Sequence, residues 1–180
     1  KNNIRILNIG RFTDQKDHIT LLKTVNLIKN KIKFRLVIIG QGANKNLIEN
    51  YIVENNLRNQ VKIVNFQKNP YKYLKASDIF VLTSKYEGLP NVLLEAAALK
   101  KFIISTNCPT GPREILMNGK GGDLVPVGNH IKLHEKIVYF YKNKKISKKK
   151  INTLYNSLYR FDYNKNLRRY LKIIIYFLNN

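Results

Sequence analysis

Two short stretches of the chain hold residue types suited to gripping a phosphorylated ligand. The first is Gly10-Arg11-Phe12-Thr13-Asp14-Gln15-Lys16, a glycine followed by two cations on one loop. Glycine permits a tight turn. Arg holds phosphate oxygens in a planar fork, while Lys acts as a point charge. The pair suits a diphosphate, although in so basic a chain a loop with one Arg and one Lys is most often only solvated. The second stretch is Ser84 to Ala96, SKYEGLPNVLLEA. Gly88 and Pro90 shape a turn, with Pro90 just before or within the first turn of a helix, where its missing N–H costs nothing. The free N–H groups around Leu89, Asn91 and Val92 then form an anion site that the helix dipole favours. Glu87 precedes that point, within reach of a sugar hydroxyl. Glu95 follows it among Val92, Leu94, Ala96 and Leu99, where a carboxylate needs a hydrogen-bonding partner such as a ribose diol. A helix-terminal surface carboxylate is the plainer reading of either Glu.

Other chemistries fit less well. Catalytic carboxyl pairs of glycoside hydrolases stand roughly 5 to 9.5 Å apart. At about 1.5 Å per helical residue, Glu87 and Glu95 are separated by about 10 Å or more, with a phosphate-binding helix start between them. Gly40-Gln41-Gly42 lacks the third glycine of a dinucleotide fingerprint, and no phosphate loop ending in Gly-Lys-Ser/Thr occurs. Cys108 is the single cysteine, which excludes an internal disulfide and suggests a reducing compartment. With three scattered histidines it makes no zinc cluster. Without a neighbouring base, Cys108 reads as an inert small residue. His18 reads as a helix-start residue.

These loops must be positioned by something, and apolar runs alternate with helix-period stretches throughout. Ile4 to Ile9 reads as a strand, with a loop through Lys16 and a helix from Asp17 that carries Leu21, Leu22, Val25 and Ile28 on one face. Phe34 to Gly40 is apolar almost without break, as in a strand covered on both sides. A helix to about Asn55 follows, then a strand Val61 to Phe66 and a short helix Tyr71 to Ala76. Next come a strand Asp78 to Leu82, a helix Asn91 to Leu99 and a strand Phe102 to Ser105. The turn-rich NCPTGP opens another short helix, and a weak strand lies near Asp123 to Val127. This alternation predicts a doubly wound α/β fold with a parallel six-stranded sheet, Rossmann-like, whose ligands sit beyond the carboxyl ends of the strands.

After His130 the pattern is helical and basic. KNKKISKKK reads as a solvated turn between helices. Ile151, Leu154 and Leu158 form one apolar stripe; Leu167, Tyr170, Leu171, Ile174 and Leu178 form another. Either stripe suits packing on the sheet, on a further domain, or on a membrane surface. The 180 residues fit one domain, with a core over about 1–130 and a helical segment over about 131–180. No apolar run approaches the roughly 18 residues of a membrane-spanning helix. KNNIRILNIG lacks a signal-peptide layout, and its abrupt strand suggests a chain cut from a longer one.

The formal charge of +22 creates a field that attracts nucleic acid, anionic lipid headgroups and phosphorylated substrates alike. The abundance of Lys, Asn and Ile also fits an A/T-rich genome. A basic module that binds nucleic acid or anionic membranes without enzymatic activity is therefore the alternative reading. Against nucleic acid, the aromatics do not interleave with the basic residues and no recognition motif occurs.

Gly10-Arg11-x4-Lys16, then Glu87-Gly88-Leu89-Pro90 and a second Glu after seven residues, resembles the GT-B-fold retaining glycosyltransferases of family 4, or group 1. Gly111-Pro112-Arg113-Glu114-Ile115-Leu116 and Gly122-Asp123-Leu124-Val125-Pro126 follow in that family's order. The resemblance covers the family's C-terminal, donor-binding domain, with the N-terminal acceptor domain absent. It implies that Arg11 and Lys16 bind the donor diphosphate, Glu87 the transferred sugar and Glu95 the ribose. Backbone amides from Gly88 to Asn91 would assist, and Gly10 would shape the first loop. Arg11, Lys16 and Glu87 are thereby implied in catalysis. The resemblance further implies a UDP-sugar donor, a glycan or lipid-linked acceptor, no metal and no cofactor. The base would lie around Phe66 to Asn69. A cytoplasmic enzyme follows, with peripheral contact at the inner face of the cell membrane through Lys142 to Asn180 as a further expectation.

Overall fold

Each apolar run becomes a strand, and each amphipathic stretch becomes a helix that carries the chain back to start the next strand alongside. The computed structural model describes residues 3–178. Six strands, β1 (Ile4–Ile9), β2 (Phe34–Ile39), β3 (Val61–Val64), β4 (Ile79–Leu82), β5 (Phe102–Thr106) and β6 (Asp123–Val125), form one sheet. Their order is β3-β2-β1-β4-β5-β6, and every neighbouring pair is parallel. Between them lie α1 (His18–Ile28), α2 (Lys45–Glu54), α3 (Tyr71–Ala76), α4 (Asn91–Ala98) and α5 (Pro112–Ile115). After them come α6 (His130–Lys142), α7 (Lys144–Asn156) and α8 (Tyr163–Leu178). The fold is the Rossmann-like α/β class expected from the alternation.

Because strand side chains alternate in direction, each central strand feeds two cores. Ile6, Leu36, Ile38, Ile79 and Val81 face α1, α2 and α6. Leu7, Ile39, Phe80, Leu82 and Ile103 face α3, α4 and α5. After α6, whose Phe140 stacks on Phe102 in the first core, the chain crosses so that Leu154 of α7 enters the second.

The order of the strands reverses between β1 and β4, which makes a crevice at their carboxyl ends. Ladder pairing between these two strands spans only Ile6–Ile79 and Leu7–Phe80. Beyond it, the buried Asn8 amide donates to the Val81 carbonyl at 2.9 Å, so a side chain takes over where the backbones part.

Several expectations need correction. KNKKISKKK is no solvated turn, because most of it forms the first half of α7. Ser147, Ile151 and Leu154 recur at helical spacing on its packed side, and Lys150 pairs with the buried Asp123. Lysine density hid a spacing that places Lys148 and Lys149 on the exposed side. Leu158 does not continue that helix: α7 ends at Asn156, and Leu158 begins a 3-10 turn. Two strands stop two residues early, β3 at Val64 and β6 at Val125, the latter before Pro126, which has no N–H for a ladder. In α8 the expected stripe is present but exposed; the side chain of Leu178 lies outside the described residues.

Candidate functional site

The loop after β1 is held from beneath by β2. A β-carbon added at Gly40 would lie 2.0 Å from the Gly10 carbonyl oxygen, so only glycine allows this approach. Phe12, fully buried, anchors the loop, and its N–H donates to the Gln41 carbonyl at 2.8 Å. A 3-10 turn at Asp14–Lys16 then brings the Lys16 side chain back across Gly10. Asp17, at φ 44°, reverses the backbone, and its carboxylate accepts from the Thr20 N–H to cap α1. Lys16 is thus fixed at the mouth of the crevice. Arg11 is exposed, and its side chain has no ion pair or hydrogen bond among the described residues.

The loop after β4 is stitched to the first. The Lys85 N–H donates to the Gln15 carbonyl (2.8 Å), the Gln15 amide to the Tyr86 carbonyl (2.9 Å) and the Thr83 hydroxyl to the Lys16 carbonyl (2.9 Å). Across this seam Lys16 Nζ lies 2.5 Å from Glu87 Oε1, and the Ser84 hydroxyl donates to the same oxygen at 2.6 Å. The two charged side chains are only 16% and 7% exposed, so each satisfies the other out of water. The third wall is the loop after β5. Thr106 donates to the Ser84 carbonyl, and Thr110 donates to the Glu87 carbonyl. Gly111 presses on this loop so closely that a β-carbon would lie 2.1 Å from the Gly88 oxygen.

The helix α4 starts without a side-chain cap, at Pro90. The N–H groups of Asn91 and Val92 find no acceptor among the described residues, as an anion site requires. Gly88, Leu89 and Asn91 are exposed, and Pro90 is buried under the β5 loop. One turn further, Glu95 is half-buried. Burial pushes its carboxyl pKa up, and its carboxylate has no partner among the described residues. Phe66 to Asn69 occupy the loop after β3, with Phe66 exposed.

Lys16, Glu87 and the α4 start are therefore brought together at the switch point, with Glu95 on the helix that leaves it. Direct pairing of Lys16 with Glu87 did not follow from the sequence, which gave them separate ligand groups. Asn8, Thr83, Ser84 and Thr110 were also missed. A polar residue inside an apolar strand was the available signal for Asn8. His18 opens α1, buried and edge-on to Phe12; burial lowers its pKa to about 4, with Lys16 adding to the effect. Cys108 is buried, which pushes its thiol pKa up. No group of three or more His, Cys, Asp or Glu residues among the described residues is placed to hold a metal ion.

Residues 1–157 match the protein family described as "Glycosyl transferases group 1". The chain is 31% identical over 170 residues to the N-acetylgalactosamine-N,N'-diacetylbacillosaminyl-diphospho-undecaprenol 4-alpha-N-acetylgalactosaminyltransferase of Campylobacter jejuni, across 94% of this chain and 46% of that protein. It is 44% identical over 117 residues to an uncharacterized glycosyltransferase of Methanocaldococcus jannaschii, across 64% of this chain and 29% of that one. The chain thus spans less than half the length of these curated relatives. A solved glycosyltransferase from Rickettsia africae has a TM-score of 0.88 at 25% identity, over 100% of this chain and 49% of that chain. Anabaena HepE, solved in complex with UDP, has a TM-score of 0.87 at 18% identity, over 96% of this chain and 49% of that one, a likeness of fold.

Proposed function

The chain belongs to the group 1 glycosyltransferase family, and from that premise we propose that it binds a UDP-sugar as the donor half of a retaining glycosyltransferase. The observation that carries this reading is the uncapped start of α4, preceded by the Lys16–Glu87 pair and followed by a carboxylate without a partner among the described residues. A nucleoside diphosphate has the matching order of groups. Its diphosphate meets Arg11, Lys16 and the Asn91 and Val92 N–H groups, and its ribose diol donates to Glu95. The base lies towards Phe66 to Asn69. Glu87 already accepts from Lys16 and Ser84 through one oxygen, which leaves the other for a hydroxyl of the transferred sugar.

In transfer the bond from the sugar's anomeric carbon to the terminal phosphate oxygen breaks, and negative charge grows on the departing diphosphate. Arg11, Lys16 and the helix start oppose that charge more strongly in the transition state than before it, which is the condition for catalysis. Two cations and a helix dipole do this without a metal. The acceptor is a glycan or lipid-linked hydroxyl, held by a part of the protein beyond these residues, so the 180-residue chain is expected to bind donor and transfer little.

Calorimetric titration with UDP, UDP-sugars, GDP and uridine tests the reading. Saturable binding of UDP, weaker for uridine and weakened by Arg11→Ala and Glu95→Ala, is the expected result. If no nucleoside diphosphate binds saturably, the reading is wrong.

A further inference from the structure

Six non-glycine residues among the described ones have a positive φ, and five of them have a local reason for it. Asn56, Lys100, Met117 and Asn118 follow the ends of α2, α4 and α5, where a left-handed residue closes a helix. Asp17 caps α1. Thr110 is the sixth. It lies at φ 59° between β5 and α5, ends no helix, and is β-branched, a side-chain type for which this region is a genuine outlier. Such backbone persists only where its surroundings hold it, and it gathers where a site needs one fixed geometry.

What holds Thr110 is the loop after β4. Its hydroxyl donates to the Glu87 carbonyl, with the Pro109 carbonyl 2.8 Å away as the alternative acceptor for its one proton. Thr106, four residues earlier, donates to the Ser84 carbonyl at 2.6 Å. Gly111, one residue later and at φ 71°, meets the Gly88 oxygen. The loop after β5 thus follows residues 84–88 contact by contact. Glu87 is fixed twice over as a result. Lys16 and Ser84 hold one carboxylate oxygen, and Thr110 holds the peptide from which that side chain springs. Tilting this peptide would swing the second oxygen, the one left for a ligand. The hydrogen bonds of the Thr110 hydroxyl reach neither Lys16 nor the first turn of α4, so its influence falls on the Glu87 end of the crevice.

We propose that Thr110 is a positioning residue for the sugar-binding carboxylate, its strained backbone maintained because its hydroxyl seats Glu87. This deepens the donor reading and rests on it. Glu87 meets a hydroxyl of the transferred sugar, and Thr110 sets the angle at which it does so. Thr110 acts through Glu87 and touches no ligand itself. Its removal should therefore be felt by the sugar and not by the diphosphate.

Titration calorimetry with UDP, UDP-glucose, UDP-galactose, UDP-N-acetylglucosamine and UDP-N-acetylgalactosamine tests this on the parent and on variants of Thr110. Thr110→Gly takes the positive φ freely but loses the hydroxyl. It should melt no lower than the parent and bind UDP within about twofold of it. Its affinity for the UDP-sugar that the parent binds best should fall about tenfold. Thr110→Ser keeps the hydroxyl and should keep that affinity. Thr110→Val keeps the branch without the hydroxyl; it should lose the affinity and melt lower. In a Glu87→Gln background, Thr110→Gly should cost no further sugar affinity, because the effect travels through that carboxylate. Four results overturn the inference and leave the donor reading standing: equal weakening of UDP and UDP-sugar, unchanged sugar affinity in Thr110→Gly, lost sugar affinity in Thr110→Ser, or losses that add in the double variant. If the parent binds no nucleoside diphosphate, the donor reading fails and this inference falls with it.

Discussion

Glu87 and Glu95 stand eight positions apart in one strand–loop–helix unit, yet they are in opposite states. Glu87 is nearly enclosed and receives both Lys16 and Ser84. Glu95 is half-buried and receives nothing among the described residues, so desolvation raises its pKa without relief. One carboxylate helps to build the site; the other carries an unmet demand that a ligand can fill. The difference teaches that burial alone does not identify a binding group; a half-buried carboxylate left without a partner at the edge of the site is the stronger candidate.

The comparison breaks if both carboxylates behave alike when removed. Glu87→Ala leaves the Lys16 ammonium largely buried and unpaired, which costs about 3 kcal/mol and lowers the melting temperature by roughly 6–12 °C. Glu95→Ala should stay within about 0.5 kcal/mol of the parent and instead weaken UDP binding about tenfold or more, the scale of a charged hydrogen bond. Denaturant melts and calorimetry on the two variants separate these outcomes.

The cations sharpen the same contrast with a smaller effect. Lys16→Ala leaves Glu87 with Ser84 still donating, so about 2 kcal/mol of stability should go, less than for Glu87→Ala. Arg11→Ala removes no side-chain partner among the described residues and should leave the melt unchanged within about 0.5 kcal/mol. Both variants should bind UDP more weakly, with uridine binding hardly altered, as titration of the two ligands would reveal.

The smallest effect is the share of the pH dependence that Glu95 contributes. Its folded-state pKa is raised above the ordinary 4.5, so the native chain holds this proton to higher pH than the unfolded chain. The contribution of Glu95 to stability therefore falls as pH climbs from about 4.5 through the folded value, and the loss is complete above it. Glu95→Gln removes that penalty. The variant should melt higher than the parent at neutral pH, and the two curves should converge below about pH 4.5. Parallel curves at all pH values would mean that Glu95 has a partner in solution.

Much of this arrangement was legible in the sequence because it rests on local pattern. Alternation of apolar runs with helical spacing placed the two loops after the carboxyl ends of strands, and the turn at Gly88-Leu89-Pro90 marked the helix start. What was not legible depended on distance between segments. The contact of Lys16 with Glu87 joins residues 71 positions apart, and the Asn8 bridge to Val81 joins residues 73 apart. No periodicity reports such pairs. The lysine-rich run failed differently: its charges were read as solvation, while Ser147, Ile151 and Leu154 set its helical face. The two C-terminal stripes looked equivalent in sequence, yet Leu154 is buried and Leu171 is not, because only the first reaches the sheet.

The contacts at Gly40 and Gly111 have a consequence for how such a chain can diverge. At both positions backbone meets backbone, where a single added carbon would fall within 2.1 Å of an oxygen. A charged group in the crevice can be exchanged for another that reaches the same place by a different route. A hydrogen standing where every other residue carries a β-carbon has no such substitute. Over long descent, then, the spacing of these glycines should outlast the charges they support, and in remote cousins it would be the last trace by which the site could still be located.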